Sequence, residues 1–365
     1  MNEEYMKRAL DLALKGLGEV HPNPLVGATI VKNGEVIGEG YHKKYGLGHA
    51  EVEAFNNCKV SPEGADMYIT LEPCSHYGKT PPCADLIVKK KIKRVYIGML
   101  DPNPLVSGNG VNILKDAGIE VHVGLLSEAC QQINKRFVKY ITTSRPYVIY
   151  KSAMTLDGKT QASDSSSKWI TGGKSREYVH KLRGVLKGIM VGANTVLVDN
   201  PSLTNRGEIG NQPARIILDE KLEIPLDAKV YDQQAETIVF TSKVANQDKV
   251  HLLVKKCNVK VITVESSEGK LNLEQVIDSL GMQKIDAVLL EGGPTLAFSM
   301  LERHLIDEVN IFIAPKLIGG TGQSVLSGIG FEGMVNAIEV SNVTVRQFGN
   351  DFMLKGDVNY LYRNN

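Results

Sequence analysis

The sequence has 365 residues, which is long for one domain and sufficient for two, and its 42% hydrophobic and 23% charged residues are typical of soluble globular proteins. Forty-two basic against 41 acidic residues leave a net charge of +1, whereas nucleic-acid binders usually carry a basic excess. No apolar run approaches the roughly 18 residues of a membrane span, the N-terminus lacks a signal-peptide core, and five cysteines are few, so we expect a cytoplasmic protein that binds neither membranes nor nucleic acid.

The pattern of the first half predicts one compact α/β unit. An amphipathic N-terminal helix precedes two strands, at residues 25–31 and 35–41, and the turn Asn33-Gly34 between them is a strong hairpin signal. A helix is predicted to start after His49. The remaining predicted elements are strands at residues 67–71, 94–98 and 119–123, and helices after residue 83, near 110–117 and at 127–140.

Four residues of this half have the chemistry of a zinc hydrolytic deaminase. His49 stands two residues before Glu51, and Cys74 and Cys83 follow. Two thiolates and an imidazole can hold Zn²⁺ and leave a fourth position for water, whose pKa zinc lowers toward about 7. Glu51 need not be a ligand and is predicted to move protons. Cys83 follows two prolines and opens a helix, where a thiol has a lowered pKa and readily binds metal.

The cysteine spacing departs from the short form of this motif, P-C-x-x-C, because eight residues separate Cys74 from Cys83. One alternative is that these cysteines are buried thiols and that His49 is a surface residue. Another is a structural zinc site closed by His76 as a fourth ligand, since structural sites usually have four. We instead assign His76 to a substrate loop.

Asn23 and Asn103 lie in two copies of the segment Pro-Asn-Pro-Leu-Val, each just outside a predicted strand. Ligands of α/β sheets bind at such strand ends. Rigid turns would explain the same pattern, because asparagine tolerates unusual backbone conformations. A pocket role and a turn role therefore both stay open.

A domain break is predicted near residues 142–146, which gives a deaminase domain at 1–144 and a second α/β domain at 145–365. Strands and helices alternate from residue 147 to about 313, and residues 338–358 are predicted to form a hairpin. The second domain has no G-x-G-x-x-G motif, so a Rossmann site is not indicated. Its segment Glu291-Gly-Gly-Pro-Thr295 follows a buried strand and opens a helix, which either cradles a phosphate or is a tight turn without a ligand. The cluster Gly319-Gly-Thr-Gly322 either adds to this site or is a loop.

Three polar segments separate apolar strands of the second half, and two arginines accompany them. The segments are residues 151–159, which follow a strand, residues 167–173, which contain the only tryptophan, and residues 191–206. Arg183 and Arg206 could clamp a phosphate in fork geometry, or they could be solvated surface charges.

Together these motifs resemble the bifunctional riboflavin-biosynthesis deaminase–reductase family over nearly the whole chain. The marks are His49-Ala-Glu51, the long Cys74 to Cys83 loop, Met154-Thr-Leu-Asp-Gly-Lys159, the 191–204 segment and Glu291-Gly-Gly-Pro-Thr295. The resemblance implies a cytidine-deaminase-like three-layer α/β/α domain with one Zn²⁺ and a dihydrofolate-reductase-like α/β domain that uses NADPH. It also implies the reaction, in which 2,5-diamino-6-(5-phosphoribosylamino)pyrimidin-4-one is deaminated and its ribosyl group is then reduced to ribityl.

The resemblance further implies roles for individual residues. In the deaminase, Asn23, His42, His76 and Lys79 would hold the pyrimidine and phosphate, with Asn103 as a pocket candidate. In the reductase, Ser167, Arg183, Leu203 and Arg206 would surround the substrate, and Lys151 and Glu291 would contact its ribose end. The residues implied around NADPH are Ala153, Trp169, Thr171, Thr195, Asp199, Gly292, Gly293, Pro294, Thr295, Leu296, Ala297 and Phe298. Lys151 and Asp199 are the candidates for the proton path.

Three other interpretations remain. A nucleic-acid deaminase of the tRNA adenosine type shares the metal motif but predicts a basic groove and the shorter cysteine spacing. A zinc-stabilised binding module predicts a fourth ligand, and a split outcome predicts one degenerate domain. Exposed strands of the second half could pair between subunits, so we expect a homo-oligomer formed through the reductase domain.

Overall fold

The computed structural model describes residues 2–75, 81–103, 107–164, 166, 169–206 and 210–360. The chain forms two compact units, Met1–Arg145 and Pro146–Asn365. The site predictions for His76, Lys79 and Ser167 lie outside the described residues. Within the described ranges, no helix combines the length and apolar character needed to cross a membrane.

The first unit contains a five-stranded sheet in the order β2-β1-β3-β4-β5. Strand β1 is antiparallel to β2 and β3, and β3, β4 and β5 are parallel. Its elements are α1 (Glu3–Leu14), β1 (Gly27–Lys32), β2 (Glu35–Tyr41), α2 (Ala50–Asn56), β3 (Asp66–Leu71), α3 (Cys83–Lys89), β4 (Arg94–Met99), α4 (Asn109–Asp116), β5 (Glu120–Val123) and α5 (Ser127–Thr143). The predicted hairpin is confirmed: Asn33 and Gly34 have φ values of 53° and 82°, as a two-residue type I′ turn requires.

Helices cover both faces of this sheet because successive side chains of a strand point to opposite sides. On one face, Ile69 of β3 belongs to a core that also contains residues of α2, α3 and α4, such as Phe55 and Leu114. On the other face, Tyr68 packs in a separate core with Met6 of α1 and Cys130 of α5. The unit is therefore a three-layer α/β/α domain, as predicted.

The second unit contains a nine-stranded sheet in the order β10-β9-β8-β7-β13-β6-β14-β16-β15. Its elements are β6 (Tyr147–Thr155), α6 (Gly173–Val185), β7 (Gly188–Gly192), α7 (Ala193–Asp199), β8 (Ala214–Leu218), β9 (Thr237–Thr241), α8 (Gln247–Val254), β10 (Val259–Thr263), β11 (Ser266–Ser267), β12 (Lys270–Leu271), α9 (Leu273–Met282), β13 (Ala287–Leu290), α10 (Pro294–Glu302), β14 (Glu308–Ala314), β15 (Glu339–Phe348) and β16 (Asp351–Asn359). In this order, the neighbouring strands from β10 to β14 are parallel to one another. Strand β16 is antiparallel to β14, and β15 is antiparallel to β16. Strands β15 and β16 are the predicted C-terminal hairpin.

Helices α9 and α10 pack on one face of the large sheet, and α6, α7 and α8 pack on the other. The first residues of the polar 151–159 segment do not follow the strand, as the sequence predicted, but continue it. Residues 151–155 pair with 310–314 of β14, while β13 ends at Leu290, so within the described residues no strand continues beside their other edge. This half of β6 is less buried than the first half, which explains why its residues are polar.

Candidate active sites

The three predicted metal ligands lie together in the first unit. His49 is the N-cap of α2, Cys74 follows β3, and Cys83 is the first residue of α3. His49 Nδ1 lies 3.6 Å from Cys74 Sγ and 3.3 Å from Cys83 Sγ, and the three ligand atoms all lie within 4.8 Å of one another. Two sulfurs and one nitrogen at this spacing fit a tetrahedral Zn²⁺ with its fourth position left for water.

The protonation of the two thiols also fits a metal site. Hydrogen bonding from the Cys83 thiol, and then from His49, lowers the pKa of Cys74 to about 4. The same hydrogen bond, together with burial, raises the pKa of Cys83. These opposite shifts describe one proton held between two sulfurs. Both must be thiolates when zinc binds, so binding releases that proton.

Glu51 lies in the first turn of α2, beside the ligands, and only 3% of its surface is exposed. Burial is the main cause that raises its pKa to about 7. A carboxyl group with a pKa near neutrality is suited to accept and return a proton. Gly40 of β2 allows α2 to lie this close, because a Cβ there would be 2.3 Å from Ala54 N.

A cavity of about 270 Å³ opens beside these groups, and the predicted Asn23, His42 and Asn103 line it. His42 Nδ1 lies 3.0 Å from the Gly48 carbonyl, and its Nε2 lies 3.1 Å from Asn23 Nδ2. The carbonyl can only accept, so Nδ1 carries the proton and Nε2 accepts from the amide. Burial lowers the pKa of His42, which favours this neutral form.

The second unit contains a cavity of about 610 Å³ with a buried charge cluster in its wall. Arg183 of α6 donates two hydrogen bonds to the Glu291 carboxylate, at 2.8 and 3.0 Å, and a third to the Thr204 carbonyl at 3.1 Å. Lys151 Nζ lies 3.5 Å from the same carboxylate. Burial opposes ionisation of Glu291, but Arg183 and Lys151 outweigh it and lower its pKa to about 2.

A loop after α7 brings Leu203 and Arg206 to this cavity, as predicted. Asn200, Leu203 and Arg206 have φ values of 40°, 51° and 56°, a conformation that costs free energy for residues other than glycine. Buried Arg215 donates a hydrogen bond to the Ser202 carbonyl at 2.9 Å and so attaches the loop to the interior of the unit. The surrounding structure therefore maintains a strained loop at the cavity.

The residues implied around NADPH fall into three groups. Trp169, Thr171 and Asp199 line the 610 Å³ cavity, beside the residues implied around the substrate. Thr195 and the segment 293–296 line a second cavity of about 420 Å³ at the first turn of α10. The others line neither cavity: Ala297 and Phe298 are buried in the core, Ala153 packs beside Phe312, and Gly292 makes a close turn in which a Cβ would lie 3.1 Å from Leu296 Cδ2.

Comparisons with known proteins cover both units. Residues 146–354 match the family model of the RibD C-terminal domain, and residues 1–99 match that of the cytidine and deoxycytidylate deaminase zinc-binding region. The riboflavin biosynthesis protein RibD of Actinobacillus pleuropneumoniae is 43% identical over 352 residues, or 96% of this chain and 94% of that protein. The chain belongs to the RibD family.

Two solved structures of the RibD family share the whole architecture. Acinetobacter baumannii RibD is 36% identical with a TM-score of 0.88, and 98% of each chain is covered. A Thermotoga maritima diaminohydroxyphosphoribosylaminopyrimidine deaminase/5-amino-6-(5-phosphoribosylamino)uracil reductase is 38% identical with a TM-score of 0.83, again over 98% of each chain. The predicted family and fold class are thereby confirmed. A nucleic-acid deaminase with an accessory domain is not favoured, because the match to RibD runs through both units.

Sequence reasoning missed several residues of the deaminase cavity, among them Glu72, Phe137 and Ile141. Buried Glu72 accepts the backbone N–H groups of Asp101 and Gly108, both at 3.0 Å, and so anchors the segment that carries Asn103. Glu72 stands between a buried strand and Pro73-Cys74, and this position in the sequence could have indicated that it lies at the site. Phe137 and Ile141 are four residues apart on one face of α5, a spacing that by itself indicates only an apolar helix face.

Proposed function

We propose that this chain catalyses two steps of riboflavin biosynthesis on one phosphoribosylaminopyrimidine. The first is hydrolytic deamination of 2,5-diamino-6-(5-phosphoribosylamino)pyrimidin-4-one, and the second is NADPH-dependent reduction of the ribosyl group to ribityl. The observation that carries the proposal is the convergence of His49, Cys74 and Cys83 beside buried Glu51, in a chain that matches RibD along 96% of its length.

In the deaminase site, His49, Cys74 and Cys83 hold the metal, and Zn²⁺ supplies the Lewis acidity that activates water. Glu51 would take one proton from that water and deliver it to the ring nitrogen. It would then carry a second proton, released by the hydroxyl group newly bound to the ring carbon, to the departing ammonia. Asn23, His42 and Asn103 orient the pyrimidine from the cavity wall. Because the ring nitrogens of His42 are fixed by Gly48 and Asn23, it presents one defined tautomer to the substrate.

In the reductase site, NADPH would supply the hydride. The residues of the chain would bind and orient the substrate and the cofactor and supply the proton. Arg206 is the better phosphate contact of the two predicted arginines. Three donors of Arg183 already serve Glu291 and Thr204, whereas Arg206 has no ion-pair partner among the residues that the structure describes. Lys151, held beside Glu291, and Asp199 are our candidates for the proton path.

Two features support NADPH as the cofactor. Residues implied around it lie along the 420 Å³ cavity at the first turn of the nine-residue helix α10, whose N-terminus favours a pyrophosphate. Others lie on the wall of the 610 Å³ cavity next to Glu291, where the reacting nicotinamide must meet the ribose. The presence of these two cavities in one unit supports the assignment of a dinucleotide cofactor.

We further propose that the enzyme is a homo-oligomer formed through the reductase domain, with a cytoplasmic location as predicted from its sparse cysteines. Strand β15 is the last strand of the nine-stranded sheet, and its Val343 and Val345 are exposed. In the segment before β15, Ile329 and Val335 are each 91% exposed. Unpaired edge strands and apolar patches of this kind favour association. Light scattering of Val345→Lys should give a smaller oligomer than the wild type. An unchanged mass would exclude this edge from the interface.

The decisive experiment is mass spectrometry of the diaminopyrimidine ribotide after incubation with zinc-replete enzyme, with and without NADPH. We expect exchange of one amine for oxygen without NADPH and a further gain of two hydrogens only with it. No mass change in folded protein would refute the proposal, and deamination without reduction would limit it to the first unit.

A further inference from the structure

Trp169 is the only tryptophan of the chain, and it is held firmly although 61% of it is exposed. The Arg176 guanidinium lies over its ring, 4.4 Å from the centroid. Large aromatic side chains at the surface are ordinarily mobile, whereas this one is covered on one face by a planar cation and lines the 610 Å³ cavity. Among the residues that the structure describes, Arg176 is the cation that covers Trp169, and the other ring face can receive a ligand.

The backbone around Trp169 is fixed from three further points. Arg176 Nη1 donates to the Thr171 carbonyl at 2.6 Å, so one guanidinium both stacks on the ring and anchors the segment behind it. Lys316 Nζ donates to the Trp169 carbonyl at 2.7 Å, and Gly172 N donates to Asp351 Oδ2 at 2.7 Å. A segment with so many anchors serves to place its one large side chain.

Helix stability does not explain why position 176 is an arginine. Arg176 is the fourth residue of α6, whose first turn contains no acidic residue. The helix macrodipole disfavours positive charge at this end, where aspartate or glutamate would stabilise the helix. The contacts of Arg176 with Trp169 and Thr171 offset that disadvantage.

We propose that Arg176 is a positioning residue for the reduction, which holds Trp169 as a stacking platform for a planar heteroaromatic ring bound in the 610 Å³ cavity. The ring is the nicotinamide of NADPH, and in this respect the inference rests on the proposed function. Guanidinium suits the task because it is planar, always charged and able to stack and donate at once, whereas the ammonium of lysine is a compact, strongly hydrated point charge.

The first test uses Trp169 itself as the reporter, without any ligand. Arg176→Gln should change the wavelength and lower the anisotropy of tryptophan emission, since the ring loses its cover. Arg176→Lys should behave in the same way. Lysine keeps the charge, but it cannot both stack a planar group on the ring and donate to the Thr171 carbonyl. Lys181→Gln, which removes an exposed cation from the same helix, is the matched control and should leave the emission unchanged. Wild-type emission from Arg176→Lys would overturn the proposal.

The second test measures NADPH binding by calorimetry. Arg176→Gln loses a cation–π contact of about 1 kcal/mol that holds the Trp169 ring in place. We therefore expect NADPH to bind about 3- to 10-fold more weakly to this variant. In a Trp169→Leu background, the same substitution should have little further effect, because Arg176 acts through the ring. Equal losses in both backgrounds would overturn the proposal. If the wild type bound no NADPH, the cofactor assignment would fail, while the ligand-free emission would still decide whether Arg176 positions Trp169.

Discussion

Replacing Glu291 by glutamine should strongly destabilise the second unit. The carboxylate lies between Arg183 and Lys151, and the side chains of these three residues are only 9%, 15% and 18% exposed, in that order. The two cations lower the pKa of Glu291 from 4.5 to about 2, despite its burial. At about 1.4 kcal/mol per pKa unit, this shift corresponds to about 3 kcal/mol of stability. Glutamine also leaves two buried cations without a counter-charge, so we expect a loss of about 3–5 kcal/mol.

The assay is urea unfolding followed by the fluorescence of Trp169, which reports on the second unit alone. Glu177→Gln is a matched control, since it breaks an exposed ion pair with Lys181 at 2.7 Å and should leave the free energy of unfolding nearly unchanged. A free energy of unfolding for Glu291→Gln as close to that of the wild type as the control's would refute the reasoning.

The pH dependence of the same measurement tests the electrostatic origin of the effect. Because the pKa of Glu291 is lowered in the folded protein, its contribution is fully present above the ordinary value of 4.5 and is lost as the pH falls toward about 2. The stability difference between wild type and Glu291→Gln should therefore be constant from about pH 8 to about pH 5 and shrink below that. A difference that persisted undiminished in acid would assign the effect to packing.

Three further predictions concern activity. Glu51→Gln should lower deamination about 100-fold or more, while zinc content and reduction of the deaminated substrate stay unchanged; loss of both activities in folded protein would contradict two independent sites. Chelation of zinc should abolish deamination and lower the melting temperature of the first unit, with reduction retained as the internal control. Arg183→Ala should raise KM for the reduction about 10- to 100-fold, because Glu291 and the Thr204 carbonyl lose the charged donor that orders them in the cavity wall; an unchanged KM would exclude a role of Arg183 in substrate binding.

The convergence of the three candidate metal ligands was predictable from the sequence, because each of them stands at a boundary between elements that local signals mark. His49 precedes a helix, Cys74 follows a buried strand, and Cys83 follows two prolines and begins a helix. Such positions converge at the edge of a parallel sheet whatever the details of the packing. The tautomer of His42 was not predictable, since it depends on how the loop places the Gly48 carbonyl and the Asn23 amide around the ring. The anchoring by Glu72 was not predictable either, since its partners are backbone N–H groups distant in sequence.

The charge cluster of the second unit shows what the sequence could not provide. Arg183 and Glu291 are 108 residues apart, and neither has a local motif that selects the other. Their meeting depends on strand order, because β13 inserts between β7 and β6. The register then pairs Leu290 with Tyr150 and thereby sets Glu291 beside Lys151. The early end of β13 also exposes the polar half of β6, which the sequence had placed after the strand.

The two site glutamates show that neighbouring charges determine what a buried carboxyl group does. Glu51 and Glu291 each belong to a conspicuous motif, and the side chains of both are largely shielded from water. Burial alone dominates at Glu51 and raises its pKa to about 7, so it can exchange a proton near neutrality. At Glu291, two cations reverse the effect of burial, so the group stays ionised and fixes Arg183 and Lys151 in place. One residue type is thus suited to move protons in the first unit, whereas it orders the cavity wall in the second.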